Sequence, residues 1–91
     1  MNVKWTNRAF SDLSRLYEFL EPVNPGAAAR VIQSLVAALT RLESRPRMGQ
    51  KLDQYEPREV RRLLVGRYEV RYEIAGDRLY VLRLWHTRED R

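Results

Sequence analysis

From Tyr68 to Ile74, apolar and charged residues alternate without a break. Tyr68, Val70, Tyr72 and Ile74 fall on one side, and Arg67, Glu69, Arg71 and Glu73 on the other. A side-chain period of two is the pattern of a half-buried antiparallel strand. The alternating signs of the charged set are expected to keep that face in water. Ala75-Gly76-Asp77-Arg78 then supplies turn chemistry, because Gly76 and Asp77 tolerate positive φ. Leu79 to Trp85 follows, apolar on both faces except for Arg83, as in a central strand. Upstream, Val60 to Val65 predicts another strand, ending at the Gly66 bend. Val3 and Trp5 flank Lys4 at the start of the chain, a further short strand.

The period changes between these strands. Ala9, Phe10, Leu13, Leu16, Tyr17 and Leu20 recur at three- and four-residue steps and make one apolar stripe. Thr6 or Asn7 can cap that helix, and Glu21-Pro22 ends it. Asn24-Pro25 offers an N-cap and a first-turn proline for a second helix. Its stripe is Ala28, Val31, Ile32, Leu35, Leu39 and Leu42, and Pro46 closes it. Residues 45–59 read as a polar connection with little periodicity. The predicted order is β-α-α-β-β-β in a single domain, residues 1–91. Helices and strands are segregated, which predicts an α+β fold. An αα-hairpin covers one face of a small, mostly antiparallel sheet that includes the short N-terminal strand.

The chain has a formal net charge of +5 and no cysteine. Lys4 and Lys51 are the only lysines, so the basic character is arginine's, whose planar fork suits phosphate and carboxylate. An acidic partner is the expectation. The absence of cysteine fits the cytoplasm, and no apolar run approaches the ~20 residues of a membrane span. One histidine and no cysteine make no common zinc site, and the glycines lack phosphate-loop spacing, so no metal or cofactor is expected. RNA cleavage needs less equipment, because the 2′-OH is the nucleophile and the protein aligns it, moves protons and offsets phosphate charge. Arg61, Arg67, Arg83, His86 and Arg88 are the candidates for such work. The plainer reading of Arg67 and Arg71 is cross-strand pairing with Glu69 and Glu73. For Tyr68 and Tyr72 it is core packing. His86 stands apart, alone after the last strand between Trp85 and Thr87-Arg88.

Trp5, Thr6, Ala9, Asp12 and Leu13, in the pattern W-T-x-x-A-x-x-D-L, resemble the opening of the RelE/ParE toxin superfamily. So do Asn24-Pro25 with Ala27-Ala28, Leu42 followed by Pro46, and Gly49. The ending from Arg61 to Asp90 also resembles it: R-x-L-x-V-G-x-Y-x-V-x-Y-x-I, a turn, then L-x-V-L-R-L-x-H-x-R-x-D.

This resemblance implies the toxin of a type II toxin–antitoxin pair, of the plasmid-stabilisation type, held by a cognate ParD/RelB-like antitoxin. The superfamily divides by target. One branch cuts mRNA on the ribosome; the other inhibits DNA gyrase and is not known to rely on a catalytic centre. Lys51 stands where the nuclease branch has a lysine cluster, Glu69 about where it places a basic residue, and Thr87 where a tyrosine follows. These departures, with the ending His86-Thr87-Arg88-Glu89-Asp90, resemble the ParE branch more closely. Arg61, Arg62, Arg67, Arg83, Trp85, His86 and Arg88 are the expected partner-binding residues, with no catalytic residue expected. On the nuclease alternative, with the ribosome and mRNA as partners, Arg61, Arg83, His86 and Arg88 are catalytic.

Overall fold

The computed structural model describes residues 1–88. The elements run β1 (Asn2–Trp5), α1 (Asn7–Leu20), α2 (Pro25–Leu42), β2 (Gln50–Lys51), β3 (Glu59–Val65), β4 (Tyr68–Ala75) and β5 (Arg78–His86), with a 3-10 turn at Asp53–Tyr55. The sheet order is β1-β5-β4-β3-β2. β1 lies parallel to β5, and the other pairings are antiparallel. The α+β architecture with a helical hairpin on the sheet is as the sequence predicts.

Both helices start where the polar pattern places them. Thr6 Oγ1 accepts the Ala9 N–H at 3.2 Å, and Asn24 Oδ1 accepts the Ala27 N–H at 3.1 Å, with Pro25 in the first turn. Leu16, Leu35, Leu39 and Leu42 pack onto Val70, Tyr72, Ile74, Leu79, Val81 and Leu84. The β3–β4 and β4–β5 turns use Gly66 and Gly76 at φ 59° and 63°; Gly76, not Asp77, takes the left-handed conformation.

Five details differ from the sequence pattern. The connection 45–59 contains β2, which pairs Gln50 with Arg62 and Lys51 with Arg61. A strand this short has no period to read. It is held by Tyr72, whose Oη accepts the Gly49 N–H (2.9 Å) and donates to Pro46 O (2.8 Å). Phe10 and Tyr17 sit on the shoulder of the apolar stripe, 53% and 45% exposed. Glu69 is buried, because the far sheet face carries Trp85 and Arg71 over it rather than water. Arg67 lies in the exposed β3–β4 turn and not on the strand. A β-bulge also interrupts β5. Arg71 faces Arg83 while Tyr72 faces Val81, so Leu82 is the extra residue.

Two substitutions test this packing. Leu35 is fully buried, and Leu35→Ala is expected to cost ~2–5 kcal/mol by opening a cavity. A Cβ at Gly49 would stand 2.6 Å from both Arg62 O and Tyr72 Oη. Gly49→Ala is therefore expected to cost about 1–3 kcal/mol through strain. At this chain size each kcal/mol lowers Tm by roughly 4–8 °C, so an unchanged thermal melt for either variant contradicts the packing.

Candidate partner-binding cleft

β1 accompanies β5 only as far as Trp5 opposite Val81. Beyond that point α1 takes over the edge. The Thr6 N–H and Oγ1 both donate to Val81 O, at 3.1 and 2.7 Å. Asp12 then reaches the strand past the bulge. Its carboxylate accepts from Arg83 Nε (2.7 Å), Arg83 Nη2 (3.2 Å) and the Leu84 N–H (3.0 Å), with Arg15 Nη1 at 3.5 Å. The residue is 3% exposed. Burial alone pushes this carboxyl up. The Arg83 hydrogen bond, the Leu84 N–H and the charges of Arg83 and Arg15 together outweigh it and hold the carboxyl below its ordinary value.

This attachment hangs the second half of α1 over one end of the sheet. Arg15, Leu16, Phe19 and Leu20 face Tyr68, His86 and Arg88 across a cleft of about 590 Å³. Past Tyr68 the cleft continues between α2 (Arg30, Val31, Ser34) and the turn Val65-Gly66-Arg67. Its floor is apolar, and Phe19 stands 74% exposed at its lip. Its rim is cationic, and no acidic residue lines either part among the described residues. The Tyr68 and His86 rings stand edge to face, with centroids 5.1 Å apart. His86 Nδ1 accepts the Arg88 N–H at 3.1 Å, which leaves Nε2 as the ring's donor.

The predicted site residues do not converge. Arg67, His86 and Arg88 gather at this cleft. Arg61 lies two strands away, bonded to Glu59 Oε2 (2.8 Å) and Gly49 O (2.8 Å). Glu59 also takes Arg47. Its burial is outweighed by the Arg61 and Arg47 hydrogen bonds, and its carboxyl is lowered. Arg62 reaches Gln50 and stands 3.6 Å from Glu69. Glu69 also binds Arg71 at 2.7 Å, and the Arg71 guanidinium lies 4.8 Å from the Trp85 ring centroid. Trp85 is thereby covered, at 8% exposure. Arg83 is held by Asp12. Glu73 takes Arg58 and not Arg67, so the expected pairing holds for Arg71 with Glu69 but not for Arg67. Glu89 and Asp90 of the quoted ending lie outside the described residues.

Pattern reading missed Asp12 as an anchor and Arg15, Phe19 and Arg30 as cleft residues. Asp12 was detectable. It falls inside the apolar stripe, three after Ala9 and four before Leu16, where a carboxylate needs a buried partner.

Because the Asp12 carboxyl is lowered in the folded chain, its stabilisation is present above the unfolded value, about pH 4, and is lost as pH falls further. Glu59 and Glu73 are lowered too and add to the same window. Asp12→Asn is expected to flatten the fall of Tm below about pH 4 and to lower Tm at pH 7. Equal slopes for both proteins would contradict the anchor.

Known proteins resemble the chain in sequence and in fold. Residues 3–91 match the family model described as ParE toxin of type II toxin-antitoxin system, parDE. Toxin RelE1 of Caulobacter vibrioides is 36% identical over 86 residues, covering 92% of this chain and 90% of that protein. Toxin RelE2 of the same organism is 31% identical, covering 93% of each. A chain from the chromosomal ParDE TA system of P. aeruginosa superposes with a TM-score of 0.79 over 94% of this chain and 95% of that one, at 24% identity, a likeness of fold. The chain belongs to the ParE toxin family of type II toxin–antitoxin systems.

Proposed function

We propose that the chain is a toxin that inhibits DNA gyrase by contact rather than by catalysis. On this reading, a cognate ParD/RelB-like antitoxin neutralises it by laying an acidic, amphipathic segment into the cationic-rimmed cleft. One observation carries the first half: of the three arginines that the nuclease alternative needs, Arg61 and Arg83 are already paired, and only Arg88 lacks an acidic partner among the described residues. Arg83 is bound by Asp12, Arg61 by Glu59, and Arg62 and Arg71 share the buried Glu69. Phosphodiester cleavage asks for cations, an acid and a base at one point. Recruiting these arginines means breaking part-buried pairs and leaving carboxylates uncompensated. The cleft supports the second half. Arg30, Arg67 and Arg88 have no acidic partner among the described residues, beside an apolar floor sized for side chains of a helix. The reading carries with it the cytoplasm, where gyrase works, and a role in plasmid stabilisation.

The names of the two Caulobacter relatives favour a second reading, a ribosome-dependent mRNA endonuclease using Arg61, Arg83, His86 and Arg88. The two separate in a paired assay. Purified gyrase with added toxin is expected to lose supercoiling or accumulate cleaved DNA, while mRNA on translating ribosomes stays intact. No effect on gyrase at large molar excess rejects the reading. His86→Ala, which leaves the Asp12 anchor in place, is expected to arrest growth like the wild type while weakening antitoxin binding by about tenfold. Loss of arrest in that variant points to the nuclease.

A further inference from the structure

The outer side of the helical hairpin differs in chemistry from every surface described so far. Along the seam between α1 and α2 lie two connected hollows. Trp5, Phe10, Leu13, Val36 and Glu43 line one; Leu13, Tyr17, Glu18 and Ile32 line the other. Neither has a lysine or arginine among its lining residues, on a chain with 17 of them. Three other surface hollows each carry two: Arg15 and Arg88, Arg30 and Arg67, Arg45 and Arg47. The seam instead has a glutamate at each end. The Met1 ammonium caps the Glu43 backbone carbonyl, and the Glu43 and Glu18 carboxylates have no partner among the described residues.

The seam is also prepared for contact. Phe10, Tyr17 and Val36 remain about half exposed. The Phe10 ring is stacked on Trp5 at 5.2 Å and 26°, so docking against it orders little that is not already ordered. Half-exposed aromatics on a patch with no charged residue between its two ends are the composition of an interface centre, not of a solvated helix face.

We propose that this seam is where the toxin touches its target, and that it takes a helix of a protein, presenting apolar anchors flanked by lysine or arginine. A groove between two packed helices accepts a third by interdigitation of side chains. The two glutamates select the flanking charge. A nucleic acid is disfavoured, because its phosphates meet two carboxylates there and no lysine or arginine. A second copy is disfavoured on the same ground, since a two-fold would bring the acidic rims together. The inference rests on the toxin reading and deepens it. The antitoxin and the target bind different shoulders of α1.

The test uses two double variants of the whole chain, Phe10→Ala with Val36→Ala, and Glu18→Lys with Glu43→Lys. All four positions are exposed, and Phe10 and Val36 keep roughly half their surface in water, so the fold is expected to persist. Growth arrest on induced expression, and potency in the gyrase assay, are expected to fall by about tenfold or more, while affinity for the cognate antitoxin stays within about twofold. Arrest by both variants at wild-type strength overturns the inference. So does loss of antitoxin binding together with arrest. So does a wild-type dimer in sedimentation that the Phe10 variant dissolves, which assigns the seam to a second copy. A wild-type chain that fails to arrest growth sinks the toxin reading, and this inference with it.

Discussion

One buried carboxylate determines how the two layers of this protein meet. Asp12 leaves α1 and supplies what β5 lacks after β1 ends: an acceptor for the Leu84 N–H and a counter-charge for Arg83. A buried ion pair is poor evidence of net stability, because desolvation offsets most of the attraction. Its value here is geometric. An apolar stripe slides on a sheet at little cost, whereas three directed hydrogen bonds fix one rotation and one height. The Leu82 bulge presents Leu84 and Arg83 to the helix, and Thr6 fixes α1 at its first turn. The width of the cleft below Leu16 and Phe19 follows from these fastenings.

The same economy of charge organises the surface. A +5 chain of this length has more arginine than it needs for solubility. Much of it is used in fastening. Arg47 and Arg61 hold Glu59 beside the Gly49 loop, Arg58 holds Glu73, and Arg71 covers Trp85 while binding Glu69. Arg62 and Arg71, facing each other across β3 and β4, would repel; the buried Glu69 is the compensation. Among the described residues, Arg30, Arg67 and Arg88 stand at the cleft without an acidic partner, and no lysine or arginine lines the outer seam. Three chemically distinct surfaces result from placement along the chain and not from composition, which is uniformly basic.

Periodicity made most of the fold legible. The alternation in β4 and the stripes of α1 and α2 are dictated by burial on one side, and caps such as Asn24-Pro25 bound them locally. The parts that were not legible depend on partners distant in sequence. β2 exists because Tyr72 Oη receives Gly49, 23 residues away. Glu69 looked solvated because alternation says which face a residue takes, not what covers it. The Leu82 bulge shifts the register of β5 without altering its composition. For the site, Arg67, His86 and Arg88 were identifiable as basic or titratable groups near chain turns. Arg61, Arg62 and Arg83 were named by type alone, and only their carboxylate partners, up to 71 residues away, separate fastening from binding.

The two proposed surfaces belong to a single helix. At 100° per residue, Phe10 and Tyr17 sit on one shoulder of α1, and Arg15 and Phe19 on the other, with Ala9, Asp12 and Leu16 buried between. On this assignment an antitoxin segment in the cleft leaves the seam uncovered, which at first sight leaves neutralisation without a cause. Size supplies one. A helix is only about 10–12 Å across, far smaller than any macromolecular target that docks along it. A target approaching the Phe10 shoulder must extend past the edge of α1, where a segment filling the cleft and gripping Arg15 already stands. Exclusion therefore needs neither a shared contact nor a change of shape in the toxin. It needs only that α1 stay where Asp12 holds it.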